Sequence, residues 1–306
     1  MSAVLEAEAP VAQQVQPRIE INDVSLRYFT DAGETQALDR IRLSVAPGEF
    51  VSLIGQSGCG KSTLLSLMAG ILEPSSGEVR VHGERVKGPS PRVGYMLQQD
   101  YLFEWRSILD NATLGAQIQG RPMREARERA AHLLHKCGMG DFLHHFPRQL
   151  SGGMRQRVAL ARTLVTDPDV VLLDEPFSAL DSQTRLAIAD EVVEVLRDEG
   201  KSVVLVTHDI GEAIAMTDRV VVLSRRPGRI KSQHLMRFDS HGPGRPSPFE
   251  VRSLPEFNTY FALLWDELDV HVEALVGPRE GAHVADFDVG ARVPVLRHRD
   301  RESHRR

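Results

Sequence analysis

The stretch that most narrows the folds open to this chain is FVSLIGQSGCGKSTLLSLM, residues 50 to 68. An apolar strand-like run leads into a glycine-rich loop, and a helix-forming run leaves it. Gly55-Gln56-Ser57-Gly58-Cys59-Gly60-Lys61-Ser62 fits G-x-x-x-x-G-K-[ST] at every fixed position. The glycines let backbone N–H groups turn inward around a polyphosphate, and the helix N-terminus adds favourable potential. Lys61 would reach the β- and γ-phosphates. Ser62 would offer its hydroxyl to a divalent cation with Thr63 beside it, and Cys59 reads as a small filler of the loop.

A loop of this kind sits at the carboxyl end of a strand in a parallel sheet, and the rest of the chain supplies such strands. VVLLDE and SVVLV are nearly continuous β-branched runs, the pattern of strands buried on both faces. Upstream, RIEINDVSLRYF alternates, IRLSVAPGEFVSLIG breaks at Pro47-Gly48, and a hairpin is expected around His82-Gly83. VGYML reads as a strand ending at Gln98. PMREARERAAHLLHKCG places Met123, Ala126, Ala130, Leu133, Leu134 and Cys137 on one helical face. The expected organisation is a loose tail over residues 1–16 and an α/β core over 17–235 with a helical insertion at about 99–165. An extension over 236–278, with an amphipathic helix near 255–269, and a disordered tail over 279–306 follow.

Composition narrows the function classes. The formal charge of −5 gives no global basic field for nucleic acid. The two cysteines argue against a disulfide framework, the N-terminus lacks an apolar signal core, and no window approaches a membrane span. The expected place is the cytosol, with any membrane role exercised through a partner.

Two further segments carry chemistry. VVLLDE puts Asp174 at the polar end of an apolar strand, where it can hold the cation, and Glu175 next to it as a general base toward water. LSGGMRQR, residues 150 to 157, sets Ser151, Gly152 and Gly153 at the start of a helix, a second device suited to an anion.

GQSGCGKST, LSGGMRQR, VVLLDEPFSALD and VLVTHD occur in an order that resembles ATP-binding cassette (ABC) ATPases, over roughly residues 18 to 230. The resemblance implies an α/β phosphate-loop NTPase core with an antiparallel β subdomain and an α-helical subdomain, using ATP and Mg2+. It also implies a head-to-tail homodimer, in which Ser151, Gly152 and Gly153 of one subunit close over the ATP of the other. By the same resemblance Gln98 senses the cation and water, His208 contacts the γ-phosphate, Asp181 lies in a loop crossing the dimer interface, and Tyr28 stacks on adenine. Nucleotide contacts would come from Gly55, Gln56, Ser57, Gly58, Cys59, Gly60, Lys61, Ser62 and Thr63, and metal contacts from Ser62, Gln98 and Asp174.

One cassette with a short insertion argues against a DNA-repair ATPase, which would need a long coiled coil, and against a two-cassette translation factor. A soluble non-transport ATPase stands as the alternative to a transport subunit. QDYLFEWRSILDN resembles the corresponding segment of bacterial import ATPases for nitrate, sulfonates and taurine, a subfamily that includes systems for related small metabolites such as thiamine-precursor pyrimidines. Phe103-Glu104 stand where it has Leu-Pro, so the resemblance implies uptake of a small solute without fixing it as an anion. Leu102, Phe103 and Trp105 are the apolar anchors expected for a permease's coupling helix. Membrane permease subunits and, indirectly, a substrate-binding protein are the implied partners. The implied place is the cytoplasmic face of the inner membrane.

Overall fold

The computed structural model describes residues 16–30, 33–178, 180–242 and 244–268. Of the expected tails, all but Gln16 lies outside the described residues, as does the end of the extension. In chain order the strands are β1 Ile19–Thr30, β2 Gly33–Val45, β3 Phe50–Ile54, β4 Ser76–Val81, β5 Glu84–Arg85, β6 Val93–Met96, β7 Val170–Asp174, β8 Ser202–Val206, β9 Arg219–Leu223 and β10 Ile230–Leu235. The helices are α1 Lys61–Met68, α2 Ile108–Ala112, α3 Leu114–Ile118, α4 Met123–Lys136, α5 Gly152–Val165, α6 Ser182–Asp198, α7 Ile210–Met216, α8 Pro248–Val251 and α9 Pro255–Glu267.

Two sheets result. An antiparallel one runs β2-β1-β4-β5, and a larger one runs β10-β9-β3-β8-β7-β6. In the larger sheet β9, β3, β8, β7 and β6 are parallel, and β10 closes the edge antiparallel to β9. Every residue of β3, β7 and β8 is buried, which is why these strands read as apolar runs without alternation. Alternation survives in which side each residue faces. Val51, Leu53, Leu172, Val204 and Val206 pack toward α1 and the antiparallel sheet. Phe50, Val171, Leu173, Val203 and Leu205 join a cluster that continues through α5 into α4.

The inserted helices therefore share a core with one face of the sheet. On α4, Ala126, Ala130, Leu133 and Leu134 are buried as their spacing predicts. Burial pushes the Cys137 thiol up to about 12, leaving it a small apolar filler.

Three local expectations need adjustment. Strand β6 stops at Met96, so Gln98 sits in the loop beyond it. Leu102 is core, 8% exposed, whereas Trp105 is 74% exposed and stacks on Phe103 at 4.8 Å. The reason is Asn111, fully buried on α2. Its amide nitrogen donates to the carbonyls of Phe103, Arg106 and Ser107, and its oxygen accepts from the Phe103 amide. That bonding turns the loop inward at Leu102 and outward at Trp105. Strand β10 was not foreseen either. Its residues alternate half-buried and exposed, and polar Lys231, Ser232, Gln233 and His234 hide the pattern.

Candidate active site

Parallel pairing puts the carboxyl ends of β3, β7 and β8 on one edge, with Leu53 and Asp174 both in register with Val206. The glycine loop leaves β3 there. Gly58 and Gly60 have φ of 75° and 106°, conformations that a side chain would strain. Helix α1 starts at Lys61 with no capping side chain and no acidic residue in its first turn. Its leading N–H groups thus lack a side-chain partner, the condition that suits a bound anion. Lys61, 8% exposed, donates from Nζ to the carbonyls of Gly55 at 2.8 Å and Gln56 at 3.2 Å, drawn over the loop. Cys59 fills the space beneath, since a Cβ on Gly55 would meet its Sγ at 2.7 Å. The Gln56 side chain leaves the loop altogether, donating from Nε2 to the Leu268 carbonyl at 3.0 Å. Its expected nucleotide contact is thereby restricted to its backbone.

Asp174 ends β7 at the foot of the loop. It accepts from the Ser62 hydroxyl at 3.0 Å on Oδ1 and from the Tyr95 hydroxyl at 3.2 Å on Oδ2. Burial pushes its carboxyl above the ordinary range. The Ser62 and Tyr95 hydrogen bonds oppose that shift, the Glu175 charge reinforces it and Lys61 opposes it. Burial, then the Asp174 charge, lifts the Tyr95 phenol to about 12, so it stays a donor. A hydroxyl and a carboxylate held side by side are hard oxygen donors of the kind that Mg2+ takes. These residues fit that cation.

Glu175 adopts a left-handed backbone, φ 47°, which costs a non-glycine residue about 1–3 kcal/mol. The conformation is held because its N–H donates to the Val206 carbonyl at 2.9 Å. It turns the carboxylate into the cleft, where Oε2 accepts from Gln98 Nε2 at 3.2 Å and lies 3.3 Å from His208 Nδ1. Side chains following β6, β7 and β8 thus converge on one oxygen.

The cleft beside the loop has a volume of about 440 Å3, and Tyr28, Lys61, Ser62, Glu175 and His208 are among its walls. Tyr28 is 39% exposed and its hydroxyl donates to Thr63 Oγ1 at 3.4 Å, while Phe29 next to it takes no part in the walls. Two lining residues escaped the sequence reading, Ala37 and Arg226. Arg226 stands in the turn after β9 and donates from Nε to the Gly58 carbonyl at 3.2 Å. No motif marks it; only the pairing of β9 with β3 could have found it.

Ser151, Gly152, Gly153 and Asp181 are not among the cleft's walls. Ser151 caps α5, accepting from the Met154 amide at 3.3 Å. Gly153 is a packing glycine: a Cβ there would stand 2.7 Å from Ile188 Cδ1. Gly152 has no such neighbour, its nearest atom being 3.8 Å away on Leu180. Arg155 pairs with Asp100 at 2.9 Å and Arg157 with Glu191 at 2.9 Å, so these arginines serve the fold. Gln156 donates to the Gln98 carbonyl at 3.3 Å, tying α5 to the loop that reaches Glu175. Asp181 caps α6 through the amides of Gln183 and Thr184, and the Thr184 bonds hold its carboxyl below the usual range.

A family model described as ABC transporter matches residues 38–178. An uncharacterized ABC transporter ATP-binding protein of Bacillus subtilis, YtlC, is 44% identical over 82% of this chain and 95% of its own. The taurine import ATP-binding protein TauB of Roseobacter denitrificans is 39% identical over 86% of this chain and 98% of its own. Among solved structures, the dimeric bacterial ABC transporter cassette MJ0796 is 32% identical with a TM-score of 0.64, covering 72% of this chain and 99% of that one. The same cassette with ADP and Pi in a post-hydrolysis state gives a TM-score of 0.63 at 31% identity.

Proposed function

The chain belongs to the family of ABC transporter ATP-binding proteins, and from that premise we propose that it is the ATP-hydrolysing subunit of an importer for a small solute, of the taurine, sulfonate or nitrate class or a related small metabolite. The observation that carries the hydrolytic reading is the convergence of Gln98 and His208 on the Glu175 carboxylate beside the phosphate loop.

The roles follow from placement. Backbone N–H groups of Gly58 to Ser62 and the Lys61 ammonium take the β- and γ-phosphates, and Tyr28 takes the adenine face. Ser62 and Asp174, with Gln98, would hold Mg2+, which supplies charge neutralisation on the phosphates. Glu175 accepts the proton of the attacking water, and Gln98 and His208 hold that carboxylate and the water in line. Ser151 and Gly152 of a second copy complete the cleft, so hydrolysis belongs to the homodimer.

Transport rests on separate observations. Among the described residues no helix is long and apolar enough to cross a membrane, so the solute path belongs to a permease. Trp105 stacked on Phe103, held outward by Asn111, offers that permease an apolar anchor. The chain then works at the cytoplasmic face of the membrane, downstream of a substrate-binding protein. Leu102, being core, is not part of the anchor.

The test is affinity capture of tagged Glu175→Gln protein from detergent-solubilised membranes of its host, with mass spectrometry of its partners. A multi-span permease at stoichiometric abundance is the expected result. Ribosomes, DNA or soluble partners alone would overturn the transport reading and leave the ATPase chemistry in place.

A further inference from the structure

The segment after β9 meets the phosphate loop through groups other than its backbone N–H donors: the Gln56 side chain and the Gly58 and Cys59 carbonyls. In the turn between β9 and β10, Gly228 lies against the loop so closely that a Cβ there would stand 2.1 Å from the Cys59 carbonyl oxygen. Its N–H donates to Ala37 at 2.8 Å and its carbonyl accepts from Asp39 at 3.0 Å, fixing the turn to β2. From the same turn Arg226 donates to the Gly58 carbonyl at 3.2 Å and, among the described residues, forms no ion pair. Farther on, the carboxyl end of α9 meets Gln56, whose Nε2 donates to the Leu268 carbonyl at 3.0 Å. That carbonyl is one of the helix-end groups that lack an intrahelical donor.

The helix end is itself pinned to β10. The Glu267 carboxylate accepts from Ser232 Oγ and lies 3.1 Å from His234 Nε2, and Lys231 Nζ donates to the Glu267 carbonyl. The chain of contacts therefore runs from β10 through the end of α9 to Gln56, and from the β9–β10 turn to Gly58 and Cys59.

We propose that this C-terminal hairpin and helix brace the phosphate loop, with Gln56 and Arg226 as positioning residues, so that releasing the end of α9 lowers nucleotide affinity. The proposal rests on the reading of the cleft as the nucleotide site. The physical reason is the loop's composition. Gly55, Gly58 and Gly60 make the cradle possible but leave it many alternative conformations, and only the one with inward N–H groups binds. Contacts that hold that conformation beforehand raise affinity without touching the ligand.

The experiment is titration of full-length protein with a fluorescent ATP analogue and Mg2+, alongside thermal melts. Gln56→Ala should raise Kd about five-fold, the equilibrium worth of one hydrogen bond. Glu267→Ala, which touches neither loop nor cleft, should raise Kd in the same direction with a melting temperature close to wild type. The double variant should bind no worse than Gln56→Ala, because both cut one chain of contacts. Arg226→Lys, which keeps the charge and loses the Nε donor, should also weaken binding. Unchanged affinity in Glu267→Ala, or effects that simply multiply in the double variant, overturns the brace. Lys61→Ala tests the premise: binding as tight as wild type there overturns the nucleotide site itself, and the brace with it.

Discussion

The phosphate-loop cleft and the Ser151–Gly153 helix end are both proposed to face an anion, yet within one chain they look nothing alike. In the cleft nearly every polar group already has a partner: Lys61 on the loop carbonyls, Ser62 and Tyr95 on Asp174, Gln98 and His208 on Glu175. At the helix end Ser151 makes one capping bond, Gly152 would meet only Leu180 at ordinary contact distance with an added Cβ, and the neighbouring arginines are committed to the fold. Self-organisation marks a site that one chain prepares alone. An exposed helix start beside a glycine that packs only loosely is what the proposed shared site would ask of a second copy.

The largest effect that would sharpen this contrast is at Glu175. Glu175→Gln keeps the shape and the loop contacts but removes the base, so hydrolysis should fall by about 10^2–10^4 while ATP binding persists. Gel filtration should then show an ATP-dependent dimer. Wild-type turnover in this variant would refute the base assignment.

Next in size is Ser151→Arg. The side chain is exposed, so the fold should tolerate the change, and the cleft of the same chain is untouched. Hydrolysis should drop at least about 100-fold, as when one transition-state donor is lost, with nucleotide affinity of the isolated subunit unchanged. Full activity would show that the helix end serves no neighbour and that one chain suffices.

The glycine pair divides packing from function. Gly153→Ala forces a Cβ onto Ile188 and should cost about 1–3 kcal/mol of stability, read as a lower melting midpoint. Gly152→Ala has room and should melt like wild type or slightly higher, because alanine suits a helix better. Its defect should appear only in hydrolysis. If both variants behaved alike, the division of the pair into one structural and one functional glycine would fail.

How far the sequence announced all this depends on where each residue takes its role from. The phosphate loop, Asp174 and Glu175 were legible because strand, turn and helix signals coincide within a few residues, and chemistry follows local geometry. The buried strands were legible because burial on both faces leaves a continuous apolar run. Arg226 and Ala37 were not, since they reach the cleft only through the register of β9 and β2 against the loop. Strand β10 was hidden by a polar edge whose alternation is only half-buried against exposed. Leu102 was read as a surface anchor because the sequence does not show the bonds that Asn111 makes to the loop around it. Gln56 was grouped with the nucleotide contacts by position in the motif, although its side chain answers to α9, more than two hundred residues away.

The smallest effect concerns the cleft's own cost. Burial raises the folded carboxyl of Asp174 above its unfolded value, despite the hydrogen bonds from Ser62 and Tyr95. The sign is therefore unfavourable: folding disfavours the ionised form, so the penalty is absent at pH well below about 3.9, grows as pH rises through the carboxylate range, and is complete above it. Asp174→Asn removes the charge and keeps the shape. It should melt higher than wild type at pH 7, with the gain shrinking toward zero at acidic pH, while Mg2+-dependent hydrolysis is lost. A variant that melts below wild type at pH 7 would show that the Ser62 and Tyr95 bonds outweigh burial. The expected gain gives the comparison its energetic side. The helix end at Ser151 carries no such cost because it stays in water, whereas the cleft holds a buried carboxylate at the expense of the apo fold, a cost that a bound cation would offset.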